Sequence, residues 1–137
     1  MDILKKFEIS YFPSGKEAIG LVLCFDSGSP YTFIRKSSAV GLGRLIELAE
    51  PEVFGGLGGG NFHSKEIVLL HVKLLEFWCR QFAYVVEDNV LEKRYDILAG
   101  HDFMQSYGIQ LLPHKGEIGI DEDRLILAQT IRWLKKT

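Results

Sequence analysis

Cysteine is scarce in this chain: two residues in 137, Cys24 and Cys79, each inside an apolar run. So few suit buried free thiols in a reducing compartment better than a disulfide framework. A basic excess is also missing. Sixteen Lys and Arg against eighteen Asp and Glu give a formal net charge of -2, which argues against nucleic acid as the main partner. Long hydrophobic runs are absent too. The longest apolar stretch, Ile19 to Phe25, falls far short of a membrane span. The opening Met-Asp-Ile-Leu-Lys-Lys shows no basic segment leading into an apolar one, so no secretory signal is visible and a cytoplasmic location is the default expectation. His63, His71, His101 and His114 have no ligand spacing with each other or with the cysteines, so no metal is expected.

What is present is a chain that is 47% hydrophobic and 12% aromatic. Its length predicts one domain over 1–137 with a real core, and excludes a large two-lobed enzyme. The pattern is mainly β. Lys5 to Phe12 and Glu17 to Phe25 are β-prone runs around the turn Pro13-Ser14-Gly15-Lys16. Tyr31 to Ile34 is β-prone again. Ser37-Ser38 is placed to cap a helix through Ala39 to Ala49, closed by Pro51, although Gly41 and Gly43 weaken it. Glu66 to Leu75 and Gln81 to Val86 read as paired strands, and Arg94 to Ala99 as a further one. Asp102 is placed to cap a short helix, Phe103 to Tyr107, ending at Gly108. Strands at Ile109 to Leu112 and Glu117 to Ile120 flank Pro113-His114-Lys115-Gly116. A final helix, Arg124 to Lys136 with Asp123 as its cap, carries Leu127, Ile131 and Leu134 on one face. Packing on its own sheet is the default expectation for that face, and a dimer contact is the next. The core of the domain spans roughly residues 3–120, with the last helix beyond it.

Three segments carry the chemistry. Asp26 ends the run Leu21-Val22-Leu23-Cys24-Phe25 and opens Asp26-Ser27-Gly28-Ser29. Taken alone, this is ordinary turn chemistry. Gly55-Gly56-Leu57-Gly58-Gly59-Gly60 is the most biased stretch in the chain. It lacks the Gly-Lys-Ser/Thr of a phosphate loop and leads into a strand rather than a helix, so phosphate binding is disfavoured. Third comes Asp96-Ile97-Leu98-Ala99-Gly100-His101-Asp102-Phe103-Met104, followed by Gly108-Ile109-Gln110-Leu111.

In that order, the three segments resemble the retropepsin-like aspartic proteases, over roughly residues 17–112. The resemblance implies a closed β-barrel with a glycine-rich flap hairpin and a short helix after the second apolar-apolar-Gly motif. It also implies an aspartic endopeptidase in which Asp26 is catalytic. Amide hydrolysis by water needs a base to activate the water and an acid to protonate the products, and two close carboxylates sharing one proton supply both. This chain has a single Asp-Ser-Gly, hence half a dyad, and must form a symmetric homodimer to complete it. No cofactor is implied, and the expected ligand is an extended peptide.

By the same resemblance, Ser27 locks the two active-site turns across the dimer and Gly28 permits the tight turn. Ser29 stands at an Ala/Ser position, and its hydroxyl is expected to bond the ionised carboxylate. Gly56, Leu57 and Gly58 form the flap tip over substrate, and Gly100 is the second structural glycine. Leu98 lines a substrate pocket or packs in the core. Two departures stand out: Pro30 where many members carry an acid, and His101 where many carry Arg. The alternative reading is therefore a dimeric peptide-binding or scaffolding module with weak or lost catalysis. A coincidence of motifs in another small β protein is a third. Cys24 reads as a buried structural thiol rather than a nucleophile.

Overall fold

Residue parity organises the fold. In a strand, successive side chains leave on opposite faces. Leu23, Phe25, Ile34, Ile97 and Ala99 enter one apolar cluster, while their neighbours Cys24, Phe33 and Leu98 enter a second. The computed structural model of the chain describes residues 2–56 and 60–134, the side chains of residues 130–134 excepted.

Strand β1 (Ile3–Ser10) and β2 (Ile19–Phe25) form an antiparallel hairpin running from Ile3↔Phe25 to Ile9↔Ile19. β2 continues parallel to β7 (Ile97–Ala99), β7 antiparallel to β3 (Phe33–Arg35), and β3 parallel to β6 (Phe77–Val86). β6 pairs antiparallel with β5 (Asn61–Leu74), and β5 returns to β1 through Ile9↔Val72 and Ser10↔His71. The result is a closed six-stranded barrel, which leaves its member strands no free edge at the closure. At 14 residues β5 outruns the barrel, and its start pairs instead with β4 (Ile46–Gly55) to make a projecting hairpin. Residues 48–51 of β4 oppose Lys65 alone, because the register jumps from Glu47↔Glu66 to Glu52↔Ser64. That bulge on an edge strand accommodates Pro51, which has no N–H to give a ladder.

Several helix expectations are corrected. The first helix, α1, covers Lys36–Leu42 and not Ala39 to Ala49. Gly43 ends it, donating its N–H to the Ala39 carbonyl, and residues 46–55 are strand because β5 supplies their ladder. Arg35 is its N-cap residue, while the Ser38 hydroxyl bonds Asp96 and the Ser37 amide bonds Asp88. Helix α2 (His101–Ser106) starts two residues earlier than expected, with Gly100 at its N-cap and Asp102 within its first turn. The hairpin β8 (Ile109–Leu112) and β9 (Glu117–Ile120) matches the sequence reading, its 3₁₀ turn Pro113–Lys115 closing on left-handed Gly116. Helix α3 spans Glu122–Leu134, and Asp121, not Asp123, accepts the Arg124 amide at its start. Among its described side chains Leu125 is buried, with Ala128 packed beside it, whereas Leu127 is 57% exposed. Leu127 is thus turned outward and not onto the sheet, and the side chains of Ile131 and Leu134 lie outside the described residues.

Cys24 and Cys79 are both buried thiols outside any disulfide, as expected. Among the described residues, no helix is long and apolar enough to cross a membrane. Phe103 locks α2 onto the barrel at 1% exposure. Phe103→Ala removes most of a ring from a close-packed site and is expected to cost about 3–5 kcal/mol, read from urea unfolding followed by intrinsic fluorescence.

Candidate active site

Parity also places the carboxylate. Asp26 follows Phe25 and continues the Cys24 side of β2, the side on which Phe33, Phe62 and Leu98 cluster beneath the hairpin β4–β5. Its backbone N–H donates to the Ala99 carbonyl at 2.9 Å, extending the parallel β2–β7 ladder by one residue. The chain then turns back at once. The Ser29 N–H donates to the Asp26 carbonyl at 3.2 Å, and the Gly28 N–H donates to the Asp26 Oδ1 at 2.9 Å. One carboxylate oxygen is therefore oriented by a fixed amide while the side chain stays half-buried. A Cβ on residue 28 would lie 3.2 Å from that same oxygen. Ser27 and Gly28 are exposed at the crest of the turn.

A second layer holds the turn from behind. The His101 N–H donates to the Ser29 carbonyl at 2.7 Å, and the Gly100 N–H donates to the Thr32 Oγ1 at 3.1 Å. The Thr32 hydroxyl in turn donates to the Asp102 Oδ1 at 2.7 Å. The other Asp102 oxygen accepts from the Gln81 side-chain amide at 2.9 Å, and Oδ1 also accepts the Phe103 N–H. Gly100 is packed against backbone. A Cβ there would fall inside contact distance of the Tyr31 carbonyl and 2.7 Å from the Ser29 carbonyl oxygen. Thr32 is 2% exposed, and sequence reasoning missed both it and Asp102 as supports. The signal that was available is the Thr directly before an apolar pair, but its partner is 70 residues away.

Above the turn lies a cleft of about 260 Å³ lined by Asp26, Pro30, Tyr31, Phe33, Phe54 and Phe62, with Gly55 and Gly56 at its rim. Phe54 sits 4.9 Å from Phe33, 5.5 Å from Phe62 and 4.9 Å from Tyr84, ring centre to ring centre. These contacts weld the stem of the hairpin to the barrel. They were also missed from sequence, because the rings come from four separate strands or loops. Gly56 has φ of +103°, a conformation that favours glycine, just where the hairpin leaves its last ladder pair, Gly55↔Asn61. Leu57 and Gly58, the rest of the expected tip, lie outside the described residues. Burial, and then the Glu52 carboxylate, raises the Tyr84 phenol above its usual range, so the ring packed against Phe54 carries a neutral hydroxyl.

Two expectations change. The Ser29 hydroxyl donates to the Tyr31 carbonyl at 2.7 Å and not to Asp26, because the turn brings that carbonyl nearer than the carboxylate. Leu98 is 2% exposed and packs with Cys24 and Phe33 in the second cluster, so it backs the cleft floor instead of facing substrate. Pro30 and His101 are both exposed, with the His101 amide tied to Ser29. Among the described residues no group of His, Cys, Asp or Glu is arranged to hold a metal.

No protein-family model matches the chain, and no curated protein sequence does. Solved structures do match. The protease of EIAV complexed with the inhibitor HBY-793 is 17% identical, with a TM-score of 0.60 over 82% of this chain and 93% of that one. The retroviral protease-like domain of Ddi1 from Leishmania major is also 17% identical, with a TM-score of 0.55 over 85% and 84%. The chain has a retropepsin-like fold. Within that fold the three sequence segments converge. Asp26 and Gly100 end adjacent parallel strands, and the glycine-rich hairpin stands over them.

Behind the Asp26 turn, burial pushes the Cys24 thiol up to about 11, and the Asp2 and Asp26 carboxylates push the same way. At pH 8 only about one thiol in a thousand is then ionised, so native Cys24 is expected to react with a disulfide reagent at least ~100-fold slower than an ordinary cysteine. A native-state rate near that of free cysteine would contradict this. Thr32→Val strands the Gly100 amide and removes one of the two donors to the Asp102 Oδ1. The expected loss is about 1–3 kcal/mol, measured by thermal or urea denaturation, with Thr32→Ser retaining most of the stability.

Proposed function

We propose that this chain is an aspartic-type endopeptidase that works as a homodimer, with Asp26 of each copy forming the catalytic pair. The observation that carries this reading is the placing of one carboxylate, oriented by the Gly28 amide, on the floor of an aromatic cleft under a glycine hairpin. A single carboxylate cannot serve as base and acid in the same step. Two related by a two-fold axis share one proton. The ionised member takes a proton from a water between them, and the protonated member gives its own to the substrate carbonyl oxygen. The water's oxygen bonds to the carbonyl carbon, and the tetrahedral species collapses as the leaving nitrogen is protonated. No covalent enzyme intermediate and no cofactor enters this chemistry. The titration belongs to the pair, not to either residue.

The remaining residues have supporting roles in this reading. Ser27, exposed on the crest of the turn, is placed to bond across the axis. Gly28 fixes the carboxylate, and Ser29 stiffens the turn through Tyr31. Gly56 with Leu57 and Gly58 closes over an extended peptide, excluding water while the peptide pairs with backbone. Phe33, Phe54 and Phe62 favour large apolar side chains beside the scissile bond.

The test is mass-spectrometric cleavage of a peptide library at acid and neutral pH, with the oligomeric state followed by light scattering. Cleavage by a dimer is expected, with specific activity falling on dilution below the dimer dissociation constant. Asp26→Asn is expected to lower the rate by ~10³-fold or more while the fold survives. A confirmed dimer that binds peptides but cuts none across that range would favour the binding-module alternative, and a chain that stays monomeric when concentrated would end the dyad reading.

A further inference from the structure

A second cleft on the described surface is larger than the one over Asp26. A groove of about 620 Å³ runs along the outer face of β6, between α2 and the bulge of β4. Its walls include Leu48, Ile67, Phe82 and Tyr107, and Arg80 also lines it. Phe82 is 50% exposed there, an unusual position for a phenyl ring on a strand otherwise packed into a barrel. Tyr31 lines both this groove and the Asp26 cleft, and its ring meets Tyr84 at 5.7 Å. The two depressions therefore share one tyrosine as a common wall.

We propose that this groove is an outer recognition site for the flank of the peptide substrate, selecting a bulky apolar residue and an acidic residue two positions apart. The inference rests on the endopeptidase reading for the identity of its ligand. A peptide lying extended over Asp26 must leave the cleft at its rim, and Tyr31 opens that rim onto β6. From Tyr84 to Arg80 the strand advances about 13 Å, which an extended peptide spans in about four residues. Tyr84, Phe82 and Arg80 alternate along one face of β6, so peptide side chains at alternate positions meet them in turn. Phe82 and Leu48 offer apolar contact to the first. Arg80 has no carboxylate partner among the described residues and offers bidentate pairing to the second. Asp102, also in the groove wall, is committed to Thr32, Gln81 and the Phe103 amide. Two-fold symmetry would give each substrate flank such a groove.

The test reads the groove without requiring catalysis. The full chain bearing Asp26→Asn, labelled with ¹⁵N, is titrated with the tetrapeptide acetyl-Ala-Phe-Ala-Glu-amide. Saturable shifts are expected at the amides of Gln81, Phe82, Ala83, Tyr84, Ser106 and Tyr107. Adding Phe82→Asp or, separately, Arg80→Glu is expected to weaken binding by about fivefold or more. Both positions are exposed, and an unchanged amide spectrum elsewhere verifies folding of each variant. Replacing Phe by Ala in the peptide is expected to weaken binding comparably. Absence of saturable shifts, shifts confined to the Asp26 cleft, or equal affinity in both variants would overturn the proposal. Library cleavage without groove binding would remove the groove and spare the endopeptidase reading. Groove binding without cleavage would do the reverse.

Discussion

The crossing of two chain segments behind Asp26 governs the rest of this molecule. β2 and β7 run parallel and end side by side, and residues 29–32 pass directly over the end of β7. The Ser29 and Tyr31 carbonyls occupy the space where a side chain on residue 100 would stand. Only glycine permits the approach, and only the approach lets His101 and Gly100 donate to Ser29 and Thr32. The Asp26 turn thus owes its shape to bonds from the end of β7 and the start of α2, about 70 positions later in the chain. A catalytic group held on a loop needs such support, since an error near 1 Å in its position costs orders of magnitude in rate.

The cleft has a comparable division of labour. Phe33, Phe54, Phe62 and Tyr84 form one packed group across β3, β4, β5 and β6. Three of its rings, Phe33, Phe54 and Phe62, line the cleft, and the whole group anchors the hairpin stem. Left-handed Gly56 comes just beyond the pair Gly55↔Asn61, so aromatic contacts pin the stem close to where its described ladder ends. Tyr31 joins the same group and also lines the groove of β6, which ties the geometry of the Asp26 cleft to that of the surface around it.

Much of the strand pattern was legible because period-two alternation is a local property. β8 and β9 agree with the sequence reading residue for residue, since their turn carries Pro113 and left-handed Gly116. Helix boundaries were less legible. Ala39 to Ala49 has the composition of a helix, but β5 supplies a ladder for residues 46–55 and the long-range pairing wins. The caps at Asp102 and Asp123 were misplaced for a related reason. Asp102 is drawn into bonds with Thr32 and Gln81, and Asp121 supplies the cap that Asp123 was expected to give.

The sequence by itself determined that an acid ends an apolar strand in an Asp-Ser-Gly turn, that a glycine run precedes a strand pair, and that the chain carries a single Asp-Ser-Gly. Each is a statement about neighbouring residues or a count. Tertiary structure alone decided that Ser29 bonds Tyr31 instead of Asp26, that Leu98 lies behind the cleft, and that Thr32 and Asp102 brace the site. Those outcomes turn on which atoms are brought within about 3 Å of each other. Barrel closure makes that selection, pairing segments whose separation along the chain carries no local signal.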